Sequence, residues 1–424
     1  MQKISFTYKG EIMIHVLIIE DEPAIARGLS LLITKNYPDF QISGICKNGR
    51  DGLQKILEQK PELVFTDITM PVMNGLDMIE EVQKSQFHTR FVILTGYADF
   101  EYARKAIHLG VSDYLLKPID LKTLDDILCS CMAQQNAQTC LLQKEYLQCA
   151  LHSDNLADPA PVFMNEVSCS FIFVFQGPLR SNIYSETIPD SVFAPVSPGY
   201  LTQLEKEYQV SLFLLHGKHF NEQVYAVIYP SSSQPDTEGL ARRIHSILDI
   251  SDQQPDSWIN TVLSLQSPDA GSVSDLIKDT YLFALFKNRF GASSFQTCTT
   301  LSDQKIRVSQ DVQQLCAGIS SHSDQESLYH MIHSLITIQN QPNLSQFQIT
   351  ANLRYYISTV IQNCHKDIIY PDVAEIVSTC HSYEELEREL QYETSKICGF
   401  HKTTPGEELP SLARQVRNYL DKNF

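Results

Sequence analysis

The chain has 424 residues, 43% of them hydrophobic and 20% charged, with 50 acidic against 33 basic side chains and a formal net charge of −17. That length suits two to three compact domains, and no apolar run approaches the roughly 20 residues that span a bilayer. The acidic excess repels nucleic acid; residues 1–120 carry 16 acidic and 13 basic side chains, so most of the excess, 34 against 20, lies in the remainder. No segment joins a basic start, an apolar middle and a small-residue cleavage site. Eleven cysteines without paired spacing are expected as reduced thiols in a cytoplasmic protein with no membrane partner.

In chain order, apolar runs at His15–Ile19, Gln41–Cys46, Leu63–Thr66, Phe91–Leu94 and Val111–Leu116 alternate with helical patterns. Ile25, Leu29, Leu32 and Ile33 share one helical face, and Leu53, Ile56 and Leu57 another. Pro23 suits a first helical turn. This alternation predicts an α/β fold with a doubly wound, five-stranded parallel sheet. In such sheets ligands gather at the carboxyl ends of the strands. The residues there are Glu20 and Asp21 after the first run, Asp67 after the third, Thr95 after the fourth and Lys117 after the fifth. One aspartate after a strand is ordinarily a helix cap or turn residue, but five chemically coherent positions in order point to a site. Crowded carboxylates repel, and a hard divalent cation with oxygen ligands, Mg²⁺ above all, relieves them. Metal and lysine together could hold a phosphoryl group.

The stretches Val16-Leu-Ile-Ile-Glu-Asp-Glu22, Thr66-Asp-Ile-Thr-Met-Pro-Val-Met-Asn-Gly75, Leu94-Thr-Gly96 and Asp113-Tyr-Leu-Leu-Lys-Pro118 resemble the CheY-like receiver domains of bacterial two-component response regulators. The resemblance implies that Asp67 accepts a phosphoryl group from a sensor histidine kinase. It implies Mg²⁺ on Glu20, Asp21, Asp67 and the Thr69 carbonyl, with Lys117 on the phosphoryl oxygens. Thr95 would turn toward the new phosphate and Tyr114 would rotate into the space it vacates; an aromatic at a strand end is otherwise core or rim. The Lys117–Pro118 bond is expected to be cis. Dimerisation on phosphorylation is expected through the face around residues 99–120.

Receiver domains start near their first strand, so Met13 is the expected first residue and residues 1–12 an extraneous extension. Lys9-Gly-Glu-Ile-Met13 back-translates to a purine-rich ribosome-binding sequence ahead of a start codon. The receiver is assigned to 13–130. A helical linker is assigned to 131–165, with one long helix running from Leu121 to about Ser153. The helix suits a dimeric coiled coil or, because the apolar repeat is broken around Gln134–Thr139, equally a simple spacer. Over 166–300, strands at Cys169–Phe175, Ser211–Leu215, Gln223–Tyr229 and Trp258–Ser264 predict a β-α-β-β-α-β module. It is weakly similar to the degenerate cyclase-like α+β module of long AraC-type (YesN-like) regulators. Its hairpin Gly217-Lys-His-Phe-Asn221 lacks the carboxylates of a working cyclase. Ser274–Phe290 reads as a packing helix.

An all-helical connector is assigned to 301–412, where His330 and His333 read as exposed helix residues rather than a metal pair. Cys129 and Cys131 lack the spacing of zinc or redox motifs. Residues 413–424 resemble the opening helix of an AraC-type DNA-binding domain that is otherwise missing or truncated. The leading reading is therefore a transcriptional response regulator, not an enzyme, binding DNA only through a C-terminal domain outside the chain. The alternative is a stand-alone phosphoacceptor acting through protein partners.

Overall fold

A computed structural model describes residues 13–85, 87, 89–96, 100–152, 164, 167–179, 196–251, 257–267, 272–299, 307–341, 344–364 and 370–400, with the backbone alone at 100–103 and 364. The expectations for residues 1–12 and 413–424 lie outside the described residues, as does residue 99 of the expected dimer face. The chain forms two compact units that divide at Glu145/Tyr146.

The first unit runs β1 (Ile14–Ile19), α1 (Pro23–Asn36), β2 (Phe40–Cys46), α2 (Gly49–Gln59), β3 (Leu63–Asp67), α3 (Gly75–Gln83), β4 (Arg90–Thr95), α4 (Phe100–His108), β5 (Asp113–Leu116) and α5 (Leu121–His152). All five strands are parallel, in the order β2-β1-β3-β4-β5. Strand side chains alternate between two cores. Val16, Ile18, Phe65, Val92 and Leu94 pack with Leu29 and Ile33 of α1 and with Leu124, Ile127 and Leu128 of α5. Leu17, Ile19, Val64 and Ile93 pack with Ile56, Leu76, Ile79 and Ala106 of α2, α3 and α4. Helices on both faces are what a parallel sheet requires, as the sequence pattern anticipates.

One helical face differs from expectation. Ile56 is buried, but Leu57 is 46% exposed, and the buried stripe of α2 is completed by Gly49 and Gly52. A Cβ on Gly52 would stand 2.5 Å from the Ile19 side chain, so the bare glycine admits the strand more closely than leucine could.

The second unit holds β6 (Val167–Gln176), α6 (Pro198–Tyr208), β7 (Ser211–His216), β8 (Glu222–Pro230), α7 (Thr237–Leu248), β9 (Ile259–Leu263), α8 (Val273–Lys287) and β10 (Ser294–Thr297). The β-α-β-β-α-β order is present, extended by α8 and β10. The sheet runs β10-β9-β6-β8-β7, with β6 antiparallel to both neighbours and β10 parallel to β9. Helices α9 (Gln310–Cys316), α10 (Gln325–Gln339), α11 (Gln346–Cys364), α12 (Val373–Thr379) and α13 (Tyr383–Cys398) follow. Their core takes in Trp258 and Phe290 from the sheet-bearing part. Tyr383 donates to the Gln339 carbonyl at 3.1 Å. Among the described residues, no helix is long and apolar enough to cross a membrane.

Candidate functional site

The strand register builds the site. Ile19 lies opposite Thr66, Asp67 opposite Leu94 and Thr95 opposite Leu116. Residues that end or follow β1, β3, β4 and β5 therefore arrive at one rim of the sheet. The Lys117 N–H donates to the Thr95 carbonyl at 2.8 Å, extending the β4–β5 ladder by one residue. The Lys117–Pro118 bond is cis.

Among the described residues, Glu20, Asp21 and Asp67 bring ligand oxygens within 4.8 Å of one another. Lys117 Nζ reaches Asp67 Oδ2 at 2.6 Å and Glu20 Oε2 at 2.7 Å. The Glu20 side chain is fully buried, and those of Asp67 and Lys117 are nearly so. Burial pushes the Glu20 carboxyl above its ordinary range, opposed by the Lys117 ammonium. Burial pulls Lys117 down, yet its hydrogen bonds to Asp67 and Glu20 outweigh this and leave it above the usual lysine value. Such a donor set, all oxygen and more acidic than one lysine neutralises, fits a hard divalent cation.

The loop after β3 shapes the rest. The Thr69 N–H donates to Asp67 Oδ1 at 3.2 Å, which steers that oxygen, and the Thr69 side chain faces solvent. Met73 N–H returns to the Pro71 carbonyl at 2.8 Å across Val72, whose φ is 72°. This tight turn brings Asn74 to the start of α3, where its Oδ1 accepts from Asp77 N–H at 2.8 Å. A Cβ on Gly75 would fall 2.1 Å from the Asp67 carbonyl oxygen. Only glycine allows that approach, so Gly75 lets α3 begin directly beneath the acidic rim.

Thr95 and Tyr114 are both half-buried. Tyr114 sits opposite Ile93 and packs against the core shared with Phe91 and Ala106; burial raises its phenol. Thus Glu20, Asp21, Asp67, Thr69, Thr95 and Lys117 gather at one rim, and Tyr114 lies on the core side of β5.

Sequence reasoning missed two polar centres. Arg90, at the opposite end of β4, binds Asp113 Oδ2 at 2.6 Å, Ser130 Oγ at 3.1 Å and Gln134 Oε1 at 3.2 Å. The Arg90 and Asp113 pairing was legible only from the register of two strands. In the second unit, Glu222 directly follows the hairpin turn and is buried. It accepts from Tyr281 Oη and the Lys218 N–H, each at 2.9 Å, and from the His219 N–H at 3.4 Å. Burial pushes it to about 7. His330 and His333 are exposed, and His333 meets Glu387 at 3.1 Å.

Residues 16–128 match the family model described as the response regulator receiver domain. The chain is 33% identical over 120 residues to the Bacillus subtilis transcriptional regulatory protein YesN, a match covering 27% of this chain and 33% of that one. It is 39% identical over 116 residues to the Staphylococcus aureus transcriptional regulatory protein HptR, covering 27% of this chain and 45% of that one. The match thus spans less than half the length of either relative. Among solved structures, the REC domain of AraT, a response regulator from Geobacillus stearothermophilus, is similar at 29% identity; the match covers 30% of this chain and 98% of that one, with a TM-score of 0.28.

Proposed function

We propose that this chain, whose residues 16–128 are the receiver domain of a two-component response regulator, takes a phosphoryl group on Asp67 from a sensor histidine kinase. The observation that carries the reading is the Lys117 ammonium lodged between Asp67 and Glu20 at 2.6 and 2.7 Å, beside Asp21. An Asp67 carboxylate oxygen attacks the phosphorus of a phosphohistidine. The P–N bond breaks, the imidazole leaves and takes up a proton, and an acyl phosphate forms on Asp67. The Thr69 N–H orients the Asp67 carboxylate, and Lys117 follows the charge onto the phosphoryl oxygens, so positioning and electrostatics supply the rate. Glu20, Asp21, Asp67 and the Thr69 carbonyl would hold Mg²⁺, which when bound neutralises further phosphoryl charge.

Thr95 turns its hydroxyl toward the new oxygens and Tyr114 rotates into the space released, a two-state packing change driven by phosphate contacts. The output is control of transcription, with a phosphorylation-dependent homodimer in the cytoplasm and DNA contacted through an AraC-type segment opened by residues 413–424. The names of YesN and HptR support a transcriptional role. The net charge of −17 favours the second reading, a phosphoacceptor that works through protein partners.

The test is uptake of label from acetyl phosphate with Mg²⁺, scored as an acid-stable, base-labile acyl phosphate. The wild-type chain should label and Asp67→Asn should not. Equal labelling of the variant refutes the assignment.

A further inference from the structure

The turn that joins β7 to β8 is folded around one carboxylic acid. Glu222 is the first residue of β8 and lies opposite Phe175 of β6, and its side chain is 3% exposed. Its Oε2 accepts from the Lys218 N–H at 2.9 Å, from the His219 N–H at 3.4 Å and from Tyr281 Oη of α8 at 2.9 Å. A Cβ on Gly217 would stand 2.3 Å from the Glu222 Cβ, so the turn closes over the acid because that position is bare. The Tyr281 ring packs in turn on Phe173 and Phe175, with centroids 4.8 and 6.2 Å away. The acid is thus enclosed by the turn on one side and by aromatic rings on the other.

The charges around it do not neutralise it. Within the turn, Lys218 lays its ammonium over the Tyr281 ring at 4.9 Å, and His219 Nε2 stands 3.8 Å from Oε1, beyond hydrogen-bond reach. From α8 comes Tyr281, whose phenol burial holds above its usual range, so it stays a donor. Strand β6 presents Phe175, which carries no charge. An ionised carboxylate in such a place is costly and a neutral one is not; burial accordingly moves Glu222 to about 7. The two ends of the turn are anchored separately. Gln148 Nε2 donates to the His216 carbonyl at 2.8 Å and its Oε1 accepts from the His216 N–H at 2.9 Å, with His152 Nε2 3.0 Å from the same carbonyl. At the other end, Asn221 Nδ2 donates to the Gln176 and Pro178 carbonyls, each at 2.9 Å.

We propose that residues 217–220 form a proton-operated clasp: with Glu222 neutral the turn lies closed on Tyr281, and with Glu222 ionised it opens between the anchored ends His216 and Asn221 and admits water to the carboxylate. The driving force is the hydration that the closed turn denies to the charge. In the open turn Glu222 is an ordinary carboxyl near 4.5, and in the closed turn it titrates near 7. Between those values the closed form holds a proton that the open form has lost. The ratio of open to closed therefore rises about tenfold per pH unit across that interval and is level on either side of it. The clasp is independent of the phosphoacceptor reading of Asp67.

The experiment is amide hydrogen exchange on the full chain at pH 5, 6, 7 and 8, with each rate divided by that of a free amide at the same pH. In wild type, protection of the Lys218 and His219 N–H groups should fall about tenfold per unit from pH 5 to pH 7 and level off above it. Residues 167–176 of β6 should stay more protected than the turn at every pH. Glu222→Gln, which keeps an oxygen for the three donors, should make protection of the turn independent of pH. His219→Gln should keep the wild-type profile. A flat wild-type profile overturns the clasp, as does a slope that survives Glu222→Gln or disappears with His219→Gln. Equal protection of the turn and β6 at every pH overturns it too, since the opening would then belong to the whole unit.

Discussion

Lys117 is the counter-charge for a fully buried glutamate. Removing it leaves Glu20 with no cation, and breaking a buried pair from one side costs about 3–5 kcal/mol. Lys117→Ala should therefore lower stability by about 3 kcal/mol in chelator, measured by urea unfolding, and recover part of that when Mg²⁺ is added. The same variant should lower the rate of acyl phosphate formation about 100-fold, the usual scale for losing one preorganised charge. Glu222 acts in the opposite sense. Its pKa of about 7 in the fold lies above the ordinary 4.5 because burial disfavours the ionised form. The folded state then binds the extra proton between those values, so stability is greatest below about pH 4.5 and falls as pH rises through 7. The loss is about 3 kcal/mol. Urea midpoints at pH 5 and pH 8 should differ in wild type by this contribution, and Glu222→Gln should flatten the difference.

At the scale of elements, helix starts are set by a few side chains that the sequence displays openly. Asn48 and Asn74 cap α2 and α3, Ser197 and Asp324 cap α6 and α10, and Pro23 opens α1. Asn74→Ala should cost about 1 kcal/mol, read as a drop in the urea midpoint. Gly75→Ala should cost more, about 2 kcal/mol, because the added Cβ meets backbone that cannot yield without moving the acidic rim; its acyl phosphate yield should fall as well. The strands of the first unit were readable because a parallel sheet buried on both faces gives continuous apolar runs with turn residues between. The acidic rim was readable because strand ends are the places where chemistry sits in such folds. Arg90 was not, since its partners Asp113, Ser130 and Gln134 come from β5 and α5 and no local pattern links them. The pairing of the Gln148 amide with the His216 backbone, at 2.8 and 2.9 Å, was equally hidden, because a glutamine that pairs with backbone leaves no mark on the partner's sequence.

For the molecule as a whole, two compact units follow from a chain too long for one domain. Trp258 and Phe290 belong to the same core as α10, α11 and α13. Aromatic contacts made across the chain, such as Phe290 with Tyr383 at 5.1 Å, leave no periodic signal, so the helical end could be read only as helices. The net charge of −17 gives a prediction at this scale. Titrated with duplex DNA of arbitrary sequence at 0.15 M salt, this chain should give no anisotropy change into the micromolar range, where basic domains already bind nonspecifically.

Strand β6 carries a last consequence, one that belongs to the time during which the chain is made. Its residues Val167–Phe175 are all buried, without a charge, and rich in phenylalanine and β-branched side chains. Its two partners, β8 and β9, both come later in the chain. A nascent polypeptide therefore exposes a strand with the composition of an aggregation-prone segment, and with both edges unpaired, until Leu263 has left the ribosome. Slow translation or a stall between Gln176 and Leu263 prolongs that exposure, so the yield of soluble protein should depend on synthesis rate and on chaperones that hold extended apolar strands.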